Sequence, residues 1–191
     1  MRWLIVGDSL TEGMLQPLAN AMSAAGIAGG IVAHQGWGTG RWLRSGEVQT
    51  AISKYDPDLV VYILGTNDDP FNRRAVEGLV ALAPDVRWIG PFHSDEMDAS
   101  FRELLGDRFI PGVPLAAGLP RSPDGIHFPR SSGEELAGRV VESVCEGQRS
   151  VPGWVVVGGV ALATLAVLAL FSSRRSREVW EKDRWVKGEG R

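Results

Sequence analysis

The sequence predicts an α/β domain, a parallel sheet of about five strands covered by helices on both faces, followed by one membrane-spanning helix. Three observations carry this expectation. Apolar, β-rich runs alternate with amphipathic, helix-like stretches through the first 150 residues. Three of those runs end in polar, glycine-containing turns. Residues 151–171 carry no charge at all.

The strand-like runs fall at 2–6 (RWLIV), 30–33 (GIVA), 58–64 (DLVVYIL), 86–90 (VRWIG) and, more weakly, 108–111 (RFIP). They are continuously apolar rather than alternating, which is the pattern of strands buried on both faces. Helix-like stretches lie between them at 12–25, 41–54, 71–82 and 95–105, with a last one at 131–146. No internal repeat or low-complexity segment interrupts this order.

Residues 151–171 (VPGWVVVGGVALATLAVLALF) span about 31 Å as a helix, the thickness of a bilayer's hydrocarbon core. A core helix of the same length normally shows a polar face, and here only Thr164 and small glycines interrupt the apolar run. Trp154 stands at its front edge, and Arg174, Arg175 and Arg177 follow it. The expected organisation is an α/β domain at 1–150, a transmembrane helix at 151–173 and a charged tail at 174–191. No signal peptide is evident at the start. The topology arguments conflict: the arginines favour a cytoplasmic C-terminus, whereas late insertion as a tail anchor keeps the domain in the cytoplasm.

Charge follows the same division. Residues 1–150 hold 13 Lys and Arg against 19 Asp and Glu, whereas residues 151–191 hold 7 against 4. An acidic body argues against a nucleic-acid binder. The single Cys145 excludes an internal disulfide and reads as a buried or half-buried helix residue. Three scattered histidines and one cysteine offer no metal set, and GWGTGR lacks the lysine and spacing of a phosphate loop. Neither cofactor nor metal is expected, and no obligate protein partner is evident.

Ligands of such folds gather at the carboxyl ends of the strands. Gly7-Asp8-Ser9 ends the first run, Gly36-Trp37-Gly38-Thr39-Gly40 follows the second, and Gly65-Thr66-Asn67-Asp68 ends the third. Late in the chain, Asp124-Gly125-Ile126-His127 occupies a Pro-rich loop. An aspartate three residues before a histidine can turn its carboxylate to the ring Nδ1. That holds the tautomer in which Nε2 accepts a proton from a serine.

These blocks resemble the SGNH, or GDSL, family of serine esterases and lipases. GDSL matches at 7–10, GxND at 65–68 and DxxH at 124–127, the glycine block falls within 36–40, and the resemblance covers roughly residues 2–146. It implies a three-layer, flavodoxin-like fold and ester hydrolysis without a cofactor. It also implies Ser9 as nucleophile, His127 as general base and Asp124 as its orienting carboxylate. The oxyanion hole would combine the Ser9 backbone N–H, a glycine N–H from Gly38 or Gly40, and the Asn67 amide. The family usually places an asparagine shortly before its oxyanion glycine, where this chain has His34-Gln35. Gly38 and Gly40 both fit.

The expected substrate is a small-molecule, glycan or lipid ester, reached from a membrane. The alternatives are an O-acyltransferase, or a non-catalytic envelope or virion protein that keeps the fold. Each residue also has a plainer role open to it: Ser9 as a helix N-cap, Asn67-Asp68 as a turn, His127 as a surface residue. His34 and His93 read as structural or solvent-exposed. Trp37 and Trp42 read equally as core and as substrate-stacking residues.

Overall fold

A computed structural model describes residues 1–68 and 70–149. The expected transmembrane helix at 151–173 and the tail at 174–191 lie outside the described residues. Among the described residues, no helix is long and apolar enough to cross a membrane.

Five strands form one parallel sheet: β1 (Arg2–Gly7), β2 (Ala28–Ala33), β3 (Leu59–Ile63), β4 (Val86–Ile89) and β5 (Phe109–Ile110), in the order β2-β1-β3-β4-β5. The chain moves outward from β1 to β2, then returns to β3 and continues the other way. The crevice between β1 and β3 is therefore the switch point at which parallel sheets receive ligands.

Eight helices connect and cover the described strands: α1 (Ser9–Gly13), α2 (Leu15–Ala24), α3 (Thr39–Ser45), α4 (Glu47–Tyr55), α5 (Arg73–Val80), α6 (Asp95–Leu105), α7 (Gly112–Ala116) and α8 (Arg130–Arg149). Successive strand residues supply opposite faces. Trp3 and Ile5 pack with Leu18 of α2 and Leu136, Val140 and Val144 of α8. Leu4 and Val6 pack with Trp42 of α3, Val76 and Leu79 of α5, and Phe101 of α6. Two apolar clusters, one on each face, give the three layers that the continuous apolar runs predict.

The helices differ from expectation where the chain needs a sharp change of direction. The stretch 12–25 is two helices, and the first begins at Ser9, immediately after the strand. Pro17 lies in the first turn of α2, where its missing N–H could not have continued a helix from α1. The stretch 41–54 also divides, at Gly46, which adopts φ +73°. α7 falls in a stretch for which no helix was expected. α8 runs on to Arg149, beyond the expected 146.

Candidate active site

The site begins with a tight turn from strand to helix. Gly7 closes β1 and α1 starts two residues later, so Thr11 lies directly over the glycine. A Cβ on Gly7 would fall 1.8 Å from Thr11 Oγ1. Only glycine allows so close a return, and the return sets Ser9 at the sheet's carboxyl rim as the first residue of α1. The N-cap of this helix is Asp8, whose Oδ1 accepts the Leu10 N–H at 3.0 Å. Ser9 is therefore not needed as a cap.

Ser9 meets a histidine from the far end of the domain. Its Oγ lies 3.1 Å from His127 Nε2, and His127 Nδ1 lies 2.7 Å from Asp124 Oδ2. A carboxylate on Nδ1 keeps the ring proton there and leaves Nε2 to accept the Ser9 hydroxyl proton. The other carboxylate oxygen, Oδ1, accepts the backbone N–H groups of Ile126 and His127, each at 2.9 Å. The His127 ring and these two N–H groups hold the Asp124 carboxyl down at about 2. It stays charged wherever an imidazole titrates. Both side chains are partly open to solvent, His127 by 40% and Asp124 by 48%, which makes the site shallow.

The remaining rim turns are joined by two buried carboxylates. Asp8 Oδ2 accepts from Asn67 Nδ2 at 3.3 Å, linking the turn after β1 to the turn after β3. Burial is the main cause that pushes Asp8 up to about 6, with the Asp68 charge adding to it, while bonds from Leu10 and Thr66 oppose the rise. Asp68 then reaches the turn after β2: its Oδ1 accepts the Thr39 N–H and the Thr39 hydroxyl, each at 2.9 Å. Burial raises Asp68 as well, against the same two Thr39 bonds. Asp8 takes the second N–H of α1, from Leu10, and Asp68 takes the first of α3, from Thr39, so the N–H groups of Ser9 and Gly38 stand immediately before them.

The two candidate glycines occupy different places. Gly38 is the N-cap of α3 and lies against the third-strand turn: a Cβ there would be 2.6 Å from Asp68 Oδ1 and 2.8 Å from the Asn67 carbonyl. Gly40 is inside α3, where an added Cβ would be 3.0 Å from Asn72 Nδ2 and 3.2 Å from Arg44 Nη1. The structure thus brings Gly38, and not Gly40, against Asn67.

His34 ends up in neither relay nor hole. Its Nε2 lies 2.6 Å from Glu47 Oε2, and its ring stacks on Trp37 at 4.1 Å. The Arg41 guanidinium lies 4.4 Å from the Trp37 ring, so this half-buried indole is already engaged. Trp42 is fully buried and belongs to the core. His93 is exposed beyond β4. A cavity of about 440 Å³, lined by Glu77, Val80, Pro84, Leu104 and Arg108, opens at the strands' amino ends and is remote from Ser9.

Sequence reasoning missed Asp8, Asp68 and Arg121, the last described below. The signal for the first two was present: each is a carboxylate inside a rim turn, adjacent in sequence to a candidate residue.

No family model and no curated protein matches the chain. Solved structures do. The C-terminal catalytic domain of Streptococcus pneumoniae peptidoglycan O-acetyltransferase A, carrying a methylsulfonyl adduct, is 19% identical with a TM-score of 0.57, over 77% of this chain and 94% of that one. The psychrotrophic esterase EstA from Pseudoalteromonas sp., inhibited by monoethylphosphonate, is 19% identical with a TM-score of 0.61, over 78% and 98%. A lipase/acylhydrolase from Enterococcus faecalis is 21% identical with a TM-score of 0.59, over 78% and 97%. The chain is similar to each of these in fold, and that fold is the SGNH hydrolase fold.

Proposed function

We propose that this chain is a serine esterase that hydrolyses carboxylic esters through an acyl-Ser9 intermediate, with O-acetylated glycans or acyl lipids as its substrate class. The observation that carries the reading is the continuous relay from Ser9 Oγ through His127 to Asp124, at 3.1 and 2.7 Å. His127 Nε2 takes the hydroxyl proton as Ser9 Oγ attacks the ester carbonyl. The developing oxyanion is received by the N–H groups of Ser9 and Gly38 and by the Asn67 amide. Collapse breaks the bond to the alcohol oxygen, which leaves with the proton from Nε2. Water then repeats the cycle on the acyl-enzyme, returning Ser9 and releasing the acid.

The shallow site favours a short acyl group on a larger alcohol that extends into solvent. A membrane anchor at 151–171 would hold the enzyme near envelope glycans or lipids. The likeness to a peptidoglycan O-acetyltransferase domain supports a second reading, in which a sugar hydroxyl takes the acyl group in place of water.

The test is fluorophosphonate labelling of the full chain together with hydrolysis of p-nitrophenyl acetate. Wild type should take one label at Ser9, and Ser9→Ala should lose both label and hydrolysis while remaining folded. An unchanged rate in Ser9→Ala would remove Ser9 as nucleophile. Product analysis with and without a sugar acceptor separates transfer from hydrolysis.

A further inference from the structure

Asp124 and His127 stand on a loop between α7 and α8 that closes on itself. The Ser122 N–H donates to the His127 carbonyl at 2.8 Å and the Gly125 N–H to the Ser122 carbonyl at 2.9 Å. Gly125 makes the turn at φ +73°. These bonds give the loop its internal shape, but they do not set its position relative to Ser9.

A link to the sheet passes through Arg121, which is half-buried at the base of the loop. Its Nη1 donates to the Ile126 carbonyl at 3.0 Å, and its Nη2 donates to the Phe92 carbonyl. Ile126 is the residue before His127. Phe92 is buried three residues beyond the end of β4. The guanidinium also lies 4.6 Å from the ring of Phe128, the residue after His127, and Phe128 meets Phe92 edge-on at 6.1 Å. One cation therefore engages the residues on both sides of His127 and ties them to the rim at β4.

We infer that Arg121 is a positioning residue for catalysis, holding the His127 loop where Nε2 meets Ser9 Oγ. This rests on the reading of Ser9 and His127 as nucleophile and base. The planar fork of an arginine can serve two carbonyls while lying on a ring; the point charge of a lysine can serve only one of them well. Removing the fork leaves the relay's residues present but displaces one of them, and a misplacement of about 1 Å can cost about 100-fold in rate.

The experiment compares wild type, Arg121→Ala and Arg121→Lys on two esters, with active sites counted by fluorophosphonate label. p-Nitrophenyl acetate has a leaving group that departs without a proton, whereas the ethoxide of ethyl acetate needs one from Nε2. Arg121→Ala should lose about 10–100-fold in kcat/KM on the nitrophenyl ester, and more on the ethyl ester, with near-full label stoichiometry. Arg121→Lys should fall between it and wild type. A general loosening of the fold would instead lower both esters equally, with the label falling in proportion, and that result overturns the inference. Wild-type rates on both esters in Arg121→Ala overturn it too. If Arg121→Ala does not fold, Arg121→Lys carries the same comparison, and wild-type rates there are decisive against it. A wild-type chain that takes no label overturns the esterase reading itself, and the inference with it.

Discussion

Replacing Asp8 with asparagine should lower activity without lowering stability at neutral pH. Asp8 caps α1 with Oδ1 and receives Asn67 Nδ2 on Oδ2, and it is only 1% exposed. An asparagine of the same shape keeps the cap with its oxygen and turns its own NH₂ toward that of Asn67. Two donors cannot face each other, so the Asn67 amide flips and presents oxygen where, in the proposed mechanism, it offers a proton to the oxyanion. Losing one such donor costs about 2.7–4 kcal/mol, or ~10²–10³ in kcat. Stability responds to a different term. Burial raises the Asp8 carboxyl from 3.8 to about 6. Between those values the unfolded chain releases a proton that the folded chain retains. The stability contributed by this group is thus present in full below 3.8, is lost as pH rises through about 6, and changes little above that. At ~1.36 kcal/mol per pH unit, the loss is about 3 kcal/mol. Asparagine resembles the protonated acid, and the rise to about 6 is already net of the hydrogen bonds that oppose it, so Asp8→Asn removes this penalty. The variant should be more stable than wild type at about pH 7.5, by up to about 3 kcal/mol, and close to wild type at about pH 4. Hydrolysis of p-nitrophenyl acetate and urea unfolding at the two pH values measure both quantities. A wild-type kcat would refute the orienting role of Asp8, and a stability difference independent of pH would refute the buried-charge argument.

Other outcomes follow from the same geometry. Asn67→Ala should cut kcat by ~10²–10³ with little change in KM, because its amide acts on developing charge; a rise in KM alone would make it a substrate binder. Gly38→Ala should be far more damaging than Gly40→Ala. The new Cβ meets the Asn67 carbonyl and Asp68 Oδ1 at 2.8 and 2.6 Å in the first case, but two flexible side-chain ends at 3.0 and 3.2 Å in the second. Equal kcat/KM losses in the two variants would leave the oxyanion glycine unassigned. The full chain should partition with membranes, resist high salt and yield to detergent, since hydrophobic insertion is insensitive to screening. The chain cut after residue 150 should stay soluble and active; if it aggregates, the apolar run belongs to the domain's own core.

Much of the fold was legible because the apolar runs at 2–6, 58–64 and 86–90 are buried on both faces and carry no competing pattern. That Ser9 and Asn67 share one rim was legible because both follow the carboxyl ends of neighbouring strands, and the Asp124–His127 contact because residues at i and i+3 in a short loop can meet. The choice between Gly38 and Gly40 was not. It depends on which one faces Asn67, a residue 29 positions beyond Gly38, and spacing within one turn says nothing of that. The divided helices were hidden for a similar reason. Met14 is itself a buried apolar residue and Gly46 a single position, so neither break disturbs the apolar pattern on which the helix reading rests. Arg121 was invisible because its partners are the carbonyls of Phe92 and Ile126, which any sequence would supply.

The shared rim also has a consequence in time. Ser9 and its base are separated by 118 positions, Asp8 and Asn67 by 59, and Thr39 and Asp68 by 29. None of these contacts can form from one local hairpin or helix. Each closes a long loop, and parallel pairing of this kind is slow because the closure entropy precedes the reward. During synthesis Ser9 is made 118 residues before His127. The Ser9 hydroxyl therefore gains its imidazole neighbour only when the loop before α8 has docked, and until then it is an ordinary alcohol.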